Sequence, residues 1–275
     1  MLVKPEDGIG QPLRVVRSDG DPSPRLKQYF FRLSLHAQQH RPARGHGLKH
    51  LGRDGGFEDV APQSGVGIAS RNSLGFGCSF FDVNLDGWLD FAVANGHIDE
   101  TVRNIRGNVG YAQPPQLFLN NQHGIFRDVA ADVGGNFDQP KVGRGLAYAD
   151  FDRDGDLDLL ITTNNGPAYL YRNDQLSGNR SIRFHLVGTK SNRDAIGATV
   201  RIFAGGRTQS RVVKGGSSYL SQSELPVTFG LEKRDRIDRV VIHWPSGGTE
   251  EYKDLSAGRA YTCTEGKGIL AHNHF

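Results

Sequence analysis

The sequence predicts an all-β protein in which a partial β-propeller is followed by a small antiparallel β-sandwich. Glycine accounts for 36 of the 275 residues, roughly twice its usual share of about 7%, so turns must be frequent. Two acidic segments, residues 80–97 and 148–165, repeat one pattern in the middle of the chain. After residue 178, short alternating segments separated by Gly, Ser, Asn and Pro are typical of half-buried strands.

Composition and charge limit the classes of partner. Charged residues make up 23% of the chain and hydrophobic residues 37%, which is typical of a globular protein. The net charge is only +3 and the basic residues are scattered along the chain, so we expect no nucleic-acid partner. No run of about 18 apolar residues exists, so we expect no membrane span.

The first 52 residues match neither the repeat nor the later strands, and we expect a disordered leader or a misread gene start. No apolar segment followed by small residues is visible there, so no signal peptide is visible in this chain. The segments "HAQQH" (36–40) and "HGLKH" (46–50) place histidines at i, i+4. Both lack the Glu of the H-E-x-x-H motif, and a proline lies between them, so we favour a leader over a metal site.

An internal repeat organises residues 53–177. "FFDVNLDGWLDFAVANGH" (80–97) and "YADFDRDGDLDLLITTNN" (148–165) align with Asp82 opposite Asp150. A further similarity pairs "GGFEDVAPQSGV" (55–66) with "GIFRDVAADVG" (124–134). Each unit reads as about four short strands joined by turns, which suits one antiparallel sheet. Repeats of this length with four strands each favour propeller blades.

The spacing within both acidic segments predicts a calcium loop between two strands. Calcium binds six to eight oxygens, and loops of this kind supply them from alternate positions 1, 3 and 5, with Gly at position 6 for the turn. We expect two Ca²⁺ sites, with the backbone carbonyl of position 7 as a further ligand in each. The ligands are Asp82, Asn84, Asp86, Trp88 (carbonyl) and Asp90 in loop 1, and Asp150, Asp152, Asp154, Asp156 (carbonyl) and Asp158 in loop 2.

Three alternatives to a calcium loop fit the two acidic segments less well. An EF-hand needs Glu at position 12, where these loops have Val93 and Ile161. The carboxylates could instead bond their own backbone as Asx turns, but two loops in register make that less favoured. A catalytic carboxylate pair needs two pKa values pushed apart by different surroundings, whereas these carboxylates share the same surroundings.

At position 7 the ligand is a backbone carbonyl, so we expect the Asp156 side chain to point outward.

Residues 53–176 resemble FG-GAP/VCBS repeats, the blades of the integrin-α-like β-propeller, most clearly in "GRGLAYADFDRDGDLDLLIT". The resemblance implies a hairpin calcium loop in each blade that stiffens the blade and takes no part in a reaction. Known propellers of this kind have seven blades, whereas only two units are visible here. We therefore expect the chain to be the C-terminal part of a longer protein.

The second predicted domain covers residues 178–268. In "SIRFHLVGT", Ile182, Phe184 and Leu186 alternate with Arg183 and His185, which indicates a strand with one buried face. The phrases "RDAIGATVRI" (193–202), "GGSSYLSQSE" (215–224), "FGL" (229–231) and "VVIHWPSG" (240–247) resemble the ASPIC/UnbV domain of the cartilage acidic protein family and its bacterial relatives. That resemblance implies an extracellular or cell-surface calcium-binding protein.

Few residues favour catalysis. Cys78 has no histidine motif beside it, and "GGSSYLS" lacks the G-x-S-x-G nucleophile elbow, so we interpret Ser217 and Ser218 as turn residues. On a strand, His243 and Trp244 would point to opposite faces, one to the core and one to the surface. "NRS" at 179–181 fits a glycosylation sequon, but such triplets are common by chance.

The sequence thus predicts a non-catalytic, calcium-binding extracellular module for adhesion or binding, with an unknown protein or carbohydrate ligand. Two alternatives remain open. The chain could be an enzyme or an accessory protein of a bacterial biosynthetic pathway, since propellers can carry catalytic sites. It could also be a carbohydrate-binding module in which Trp88, Tyr169 or Tyr171 stacks on sugars.

Overall fold

The protein is all-β, as predicted from the sequence. The structure, a computed structural model, describes residues 30–32, 47–51, 57–273 and 275. Within these residues it contains strands and two helices of four residues each, α1 (Val66–Ala69) and α2 (Val102–Ile105). None of the helices in the described ranges is long and apolar enough to cross a membrane. Most of the predicted leader lies outside the described residues, and so does the histidine pair at 36–40. Of the second pair, at 46–50, only the backbone of residues 47–50 is described.

The strands fall into five sheets. The first sheet contains β1 (Phe30–Arg32), β2 (Gly47–Leu51) and β3 (Phe57–Asp59), the second β4 (Gly75–Phe81), β5 (Asp90–Asn95), β6 (Gln116–Asn120) and β7 (Phe126–Asp128), and the third β8 (Gly143–Ala149), β9 (Asp158–Thr163) and β10 (Tyr169–Tyr171). The other two contain β11 (Ser181–Val187), β12 (Thr199–Ala204), β13 (Arg207–Val212), β14 (Val227–Gly230), β15 (Arg236–His243), β16 (Thr249–Ser256), β17 (Arg259–Thr264) and β18 (Gly268–Ala271).

The second and third sheets are built in the same way. Both are antiparallel meanders, with strand order β4-β5-β6-β7 and β8-β9-β10. The acidic loops join the first two strands of each sheet, between Phe81 and Asp90 in one and between Ala149 and Asp158 in the other. The first strand of each pair also contains a register shift, between Gly75 and Cys78 in β4 and at the corresponding place in β8. The internal repeat in the sequence is therefore a repeat in structure.

The weaker similarity before each acidic loop corresponds to an edge strand. "FED" of β3 and "FRD" of β7 are each the last strand of their sheet. The last residue of both strands is an aspartate that accepts a hydrogen bond from the N–H two residues on, Asp59 from Ala61 at 3.1 Å and Asp128 from Ala130 at 3.0 Å. The sheet β1-β2-β3 has strands on both sides of residue 53, where the sequence predicts the end of the leader. The predicted division into domains stays a prediction.

The two repeated sheets share one core. The facing strands β4 and β8 approach so closely that a Cβ on Gly77 would lie 2.6 Å from the backbone nitrogen of Leu146. Glycine at position 77 therefore lets the two sheets pack against each other. The buried side chains between them come from both repeats, and include Phe81, Leu117, Leu146, Leu159 and Ile161.

The C-terminal part is a sandwich of two four-stranded sheets, β14-β11-β17-β18 and β13-β12-β15-β16. Ile182, Phe184 and Leu186 of β11 are buried in its core while His185 is exposed, as the alternation predicts. The sandwich was predicted to be antiparallel, and one pair differs: β11 and β17 are parallel. Two neighbouring parallel strands must be joined by a long crossover connection. Here the four strands of the other sheet lie between β11 and β17 in the sequence.

Candidate metal centre

The two acidic loops have the same backbone conformation. Position 4 has a positive φ in both, 57° at Leu85 and 64° at Arg153. Position 6 is glycine in both, with φ of 88° at Gly87 and 96° at Gly155. A left-handed conformation at position 6 is easily adopted only by glycine, so the Gly of the D-x-[DN]-x-D-G pattern has a structural reason. The two loops thus curl in the same way, each around its own centre.

The hydrogen bonds inside the loops also repeat. At position 1, Oδ1 of Asp82 accepts the N–H of Asp86 at 3.1 Å, and Oδ1 of Asp150 accepts the N–H of Asp154 at 3.1 Å. At position 5, Oδ1 of each aspartate accepts the N–H of position 7, at 2.8 Å in loop 1 and 2.9 Å in loop 2. These bonds are the Asx-type interactions that the sequence offered as an alternative, and they fix the carboxylates within each loop.

The aspartate at position 9 links its loop to the third strand of the sheet in loop 1, and to the residues just after the third strand in loop 2. In loop 1, Oδ2 of Asp90 accepts the N–H of Val83 at 3.0 Å and Oδ1 accepts the N–H of Asn120 at 2.8 Å. In loop 2, Asp158 accepts the corresponding bonds at 2.7 and 2.8 Å from Phe151 and Asn173. A carboxylate oxygen has two lone pairs, so each of these oxygens can also bind a cation.

Loop 2 brings its carboxylates closest together. Asp150, Asp152 and Asp158 each have one carboxylate oxygen in a group of three, and these three oxygens lie within 4.8 Å of one another. In loop 1, whose residues are all described, Asp82, Asp86 and Asp90 do not form an equally tight group, and position 3 is Asn84. The oxygens of loop 1 are those of Asp82, Asn84, Asp86 and Asp90, and the amide of Asn84 donates to Oδ2 of Asp86 at 3.3 Å.

A second carboxylate group in loop 2 includes a residue that the sequence reasoning missed. Asp152, Asp154 and Asp174 also have oxygens within 4.8 Å of one another. Asp174 follows Asn173, the counterpart of Asn120, so extending the repeat alignment by one residue would have found it. The guanidinium of Arg172 lies 2.8 Å from Asp174 and 3.9 Å from Asp152 and offsets part of this negative charge. The group of Asp150, Asp152 and Asp158 contains positions 1, 3 and 9 of the loop, so it is the one that corresponds to the predicted site.

Burial and mutual repulsion raise the pKa values of the loop 1 carboxyls. Asp82 is 1% exposed, and burial together with the charge of Asp86 raises its pKa to about 8, although Arg211 and two backbone N–H groups act in the opposite direction. Burial raises the pKa of Asp86 to about 6. The pKa of Asp90 lies well above its usual value because of burial and of both neighbouring carboxylates. Without a cation, the ionised form of these buried carboxyls is therefore disfavoured.

The side chain of Asp156 does not point outward, and that sequence prediction is wrong. Asp156 is 9% exposed, and its Oδ2 accepts the N–H of Gln175 at 2.9 Å. Burial raises its pKa to about 7. The reason is the chain after β10, which crosses the loop and covers it. That the carbonyls of Trp88 and Asp156 bind the ion stays a prediction.

Comparison with known proteins shows similarity in the C-terminal part of the chain. Residues 188–270 match the family model described as "ASPIC and UnbV". Over these residues the C-terminal sandwich is similar to this family, and the sandwich is called the ASPIC and UnbV domain below. The chain is also similar to cartilage acidic protein 1, with 29% identity over 159 residues to the proteins of Mus musculus and Xenopus tropicalis and 28% to that of Homo sapiens. Each alignment covers 57% of this chain and 23% or 24% of the relative, so the chain spans about a quarter of their length.

The ASPIC and UnbV domain lies directly on loop 1. The N–H of Glu232 donates to the carbonyl of Leu85 at 3.0 Å. Gly230 fits so closely that a Cβ there would lie 2.5 Å from the Cα of Leu85, and it would also contact Oδ2 of Asp82. On the other side, the amide of Asn173 donates to the carbonyl of Val83 at 2.8 Å. Loop 1 is therefore enclosed by the C-terminal sandwich and by the segment that connects the sandwich to the two repeated sheets.

Loop 2 is joined to the ASPIC and UnbV domain by a charged network. Arg183 lies 3.4 Å from Oδ2 of Asp150 and also pairs with Glu224. Oε2 of Glu224 in turn accepts the backbone N–H of Asp150 at 3.1 Å. The hydroxyl of Ser181 donates to the carbonyl of Gly155 at 2.9 Å. The sequence reasoning placed Arg183 on the polar face of its strand but gave no signal for its partner.

Other residues discussed from the sequence have structural roles. Cys78 is buried, its thiol pKa is raised by burial, and its N–H is bonded to the hydroxyl of Ser218 at 3.1 Å. Trp244 is 3% exposed while His243 is exposed, as predicted for core and surface. The amide of Asn179, the acceptor of the sequon, is half-buried and donates to the carbonyl of Asn84 at 2.8 Å.

The aromatic residues proposed for sugar stacking are partly covered. Trp88 is half-buried, with a guanidinium 5.7 Å from its ring centre. Tyr169 and Tyr171 are half-buried and stack with ring centres 6.3 Å apart, and the ammonium of Lys141 lies over both rings. These rings already have partners within the protein.

Proposed function

We propose that the protein is a calcium-binding, extracellular and non-catalytic binding module in which Ca²⁺ braces the blades. The repetition of one loop geometry in both blades carries this proposal. The two loops share positive φ values at positions 4 and 6 and the same hydrogen bonds from positions 1, 5 and 9. That geometry curls the carboxylates of each loop toward one centre.

The donor set fits calcium. All the side chains offered by the two loops are carboxylates or an amide, and Ca²⁺ is a hard cation that takes six to eight such oxygens. In loop 2, Asp150, Asp152 and Asp158 would hold the ion, with Asp154 completing the set. In loop 1, Asp82, Asn84, Asp86 and Asp90 would do so. A divalent cation would offset the repulsion that raises the pKa values of the buried loop 1 carboxyls.

The proposed role of the ion is mechanical. Each loop joins the first two strands of its sheet, and the aspartate at position 9 ties it to the third strand in loop 1 and to the residues just after the third strand in loop 2. An ion held by positions 1, 3, 5 and 9 would therefore connect three strands of one blade. Because both loops also contact the ASPIC and UnbV domain, the same ions would stiffen the junction between blades and second domain.

The extracellular location and the binding role rest on similarity. The relatives are named as cartilage acidic proteins, and cartilage is an extracellular matrix. The ligand would be a protein or a carbohydrate.

Thermal unfolding with and without calcium tests the proposal. An ion that binds only the folded state, at a hundred times its Kd, stabilises by about 2.7 kcal/mol, which raises Tm by roughly 5–10 °C for each occupied site. The chelated protein should melt at the lower temperature, and Mg²⁺ should restore less of the difference because it prefers a smaller octahedral site. Equal Tm values in chelator and in excess Ca²⁺ would contradict the proposal.

A further inference from the structure

A groove of about 700 Å³ lies where loop 2 meets the ASPIC and UnbV domain. Its floor is the outer face of the parallel pair β11 and β17, since Arg183 pairs with Ala260 and His185 with Thr262 in the register. Arg153 of loop 2 lines it, together with residues of the C-terminal segment. The full lining is Arg153, Arg183, His185, Pro226, Ala260, Tyr261, Thr262, His272, Asn273 and Phe275.

The lining is basic. It contains two arginines and two histidines and no acidic residue. The nearby carboxylates lie behind the surface or beside it: Asp150 and Glu224 pair with Arg183, and Asp194 acts on His185. Arg183 is thus largely neutralised, whereas Arg153 is exposed and forms no ion pair within the described part of the chain. Arg153 is therefore the main uncompensated positive charge of the groove.

The two repeats differ at this very position. Position 4 of loop 1 is Leu85, which is 2% exposed beneath the second domain. Position 4 of loop 2 has the same left-handed backbone but carries Arg153, which is exposed at the groove. The calcium loop itself does not require an arginine here, because the loop 1 geometry forms without one. Arg153 therefore has a role other than holding the metal ion.

The other walls provide a hydrogen-bonding and an apolar side. The ring Nε2 of His272 is 2.9 Å from the hydroxyl of Thr262. The backbone N–H of His272 donates to the carbonyl of Ala260 at 2.8 Å, which holds the C-terminal segment along β17. Pro226 and Phe275 supply apolar surface, whereas the ring of Tyr261 packs into the core of the sandwich. Small-molecule sites are commonly apolar clefts of about 300–1,000 Å³ with a few placed polar groups.

We propose that this basic groove binds a small oxyanion, a carboxylate or phosphate attached to a ring, with the anionic group at Arg153 and the two histidines. An arginine guanidinium can donate two parallel hydrogen bonds to either anion. The ring would lie against Pro226 and Phe275. This site does not depend on the proposed calcium function.

Calorimetric titration of the whole chain with benzoate and with phenyl phosphate, at constant ionic strength, tests this proposal. Saturable binding of at least one anion is expected, and the tighter of the two identifies the anionic group. Benzyl alcohol, which has the ring without the charge, should not bind. The imidazole NMR signals of His185 and His272 should shift with the same saturation curve as the heat.

The variants Arg153→Asn and Arg71→Asn separate a built site from general surface charge. Asn tolerates the left-handed conformation at position 153, so the loop should keep its shape, which an unchanged Tm verifies. Loss of the charged hydrogen bonds should weaken binding about tenfold or more. Arg71 is exposed and does not line the groove, and its variant should bind as the wild type does. Absence of saturable binding, equal weakening by both variants, or equal binding of benzyl alcohol would overturn the proposal.

Discussion

Glu265 shows how one side chain can organise a loop of the ASPIC and UnbV domain. It is 5% exposed, and its Oε2 accepts the backbone N–H groups of Thr189, Lys190 and Ser191 at 2.8, 2.8 and 2.7 Å. The hydroxyls of Ser191 and Ser246 donate to Oε1. Burial alone would raise its pKa, but these hydrogen bonds outweigh burial and lower the pKa to about 2.

Replacing Glu265 by Gln should lower the Tm at neutral pH, because the amide removes the charge that these N–H groups stabilise. A lowered pKa means that the stabilisation is present above the ordinary value of 4.5 and is lost as the pH falls toward about 2. The difference in Tm between wild type and Glu265→Gln should therefore shrink over that range. Thermal unfolding at pH 7, 5, 4 and 3 measures it.

Glu251→Gln is the matched control for Glu265. Glu251 is a partly exposed acid whose oxygen lies 3.3 Å from Arg239. Exposed pairs of this kind contribute little, so the control should change Tm much less at every pH. A Glu265→Gln difference that stays constant down to pH 3 would contradict the assignment.

At the scale of elements, the contact between β14 and loop 1 depends on Gly230. A Cβ at this position would lie 2.5 Å from the Cα of Leu85. The neighbour is backbone and cannot move aside cheaply. Gly230→Ala should therefore lower the free energy of unfolding by about 1–3 kcal/mol, as for overpacking of a close-packed site. Urea unfolding measures the change.

Gly107 provides the control for Gly230. Neither glycine has a positive φ, and a Cβ on Gly107 would have no atom within 4 Å. Gly107→Ala removes the same backbone freedom without a clash, so it should be neutral or slightly stabilising. If the two alanine variants were equally stable, the close contact between β14 and loop 1 would be refuted.

The elements were predictable from the sequence where their signal is local. Alternation in residues 181–187 predicted the buried face of β11, and the Asp and Gly spacing predicted two identical loops. Long-range partners carried no such signal. Nothing in the spacing indicates that Gly230 covers Asp82 or that β11 pairs in parallel with β17. The side chain of Asp156 was misplaced for the same reason, since the chain that covers it lies 19 residues later.

At the scale of the whole molecule, Arg183 couples the two domains. Its guanidinium, 11% exposed, lies on β11 of the ASPIC and UnbV domain and pairs with Asp150 of loop 2 and with Glu224. Arg183→Met would leave two buried carboxylates without their cation. Removing one partner of a buried ion pair costs about 3–5 kcal/mol, so urea unfolding should show a loss of that size.

Arg236→Met is the control for this loss. The side chain of Arg236 is 70% exposed and lies 4.0 Å from Asp254, so its variant should lose less than about 1 kcal/mol. Similar losses in the two variants would show that Arg183 does not join the domains.

The central claim is that the two acidic loops hold one calcium ion each. Calorimetric titration of the metal-free chain with Ca²⁺ tests it most directly. Two binding events are expected. Asp86→Asn should abolish one and Asp154→Asn the other, while Asp138→Asn, an exposed acid outside both loops, should keep both. A binding heat that is unchanged in the double variant of Asp86 and Asp154, or no heat in the wild type, would contradict the claim.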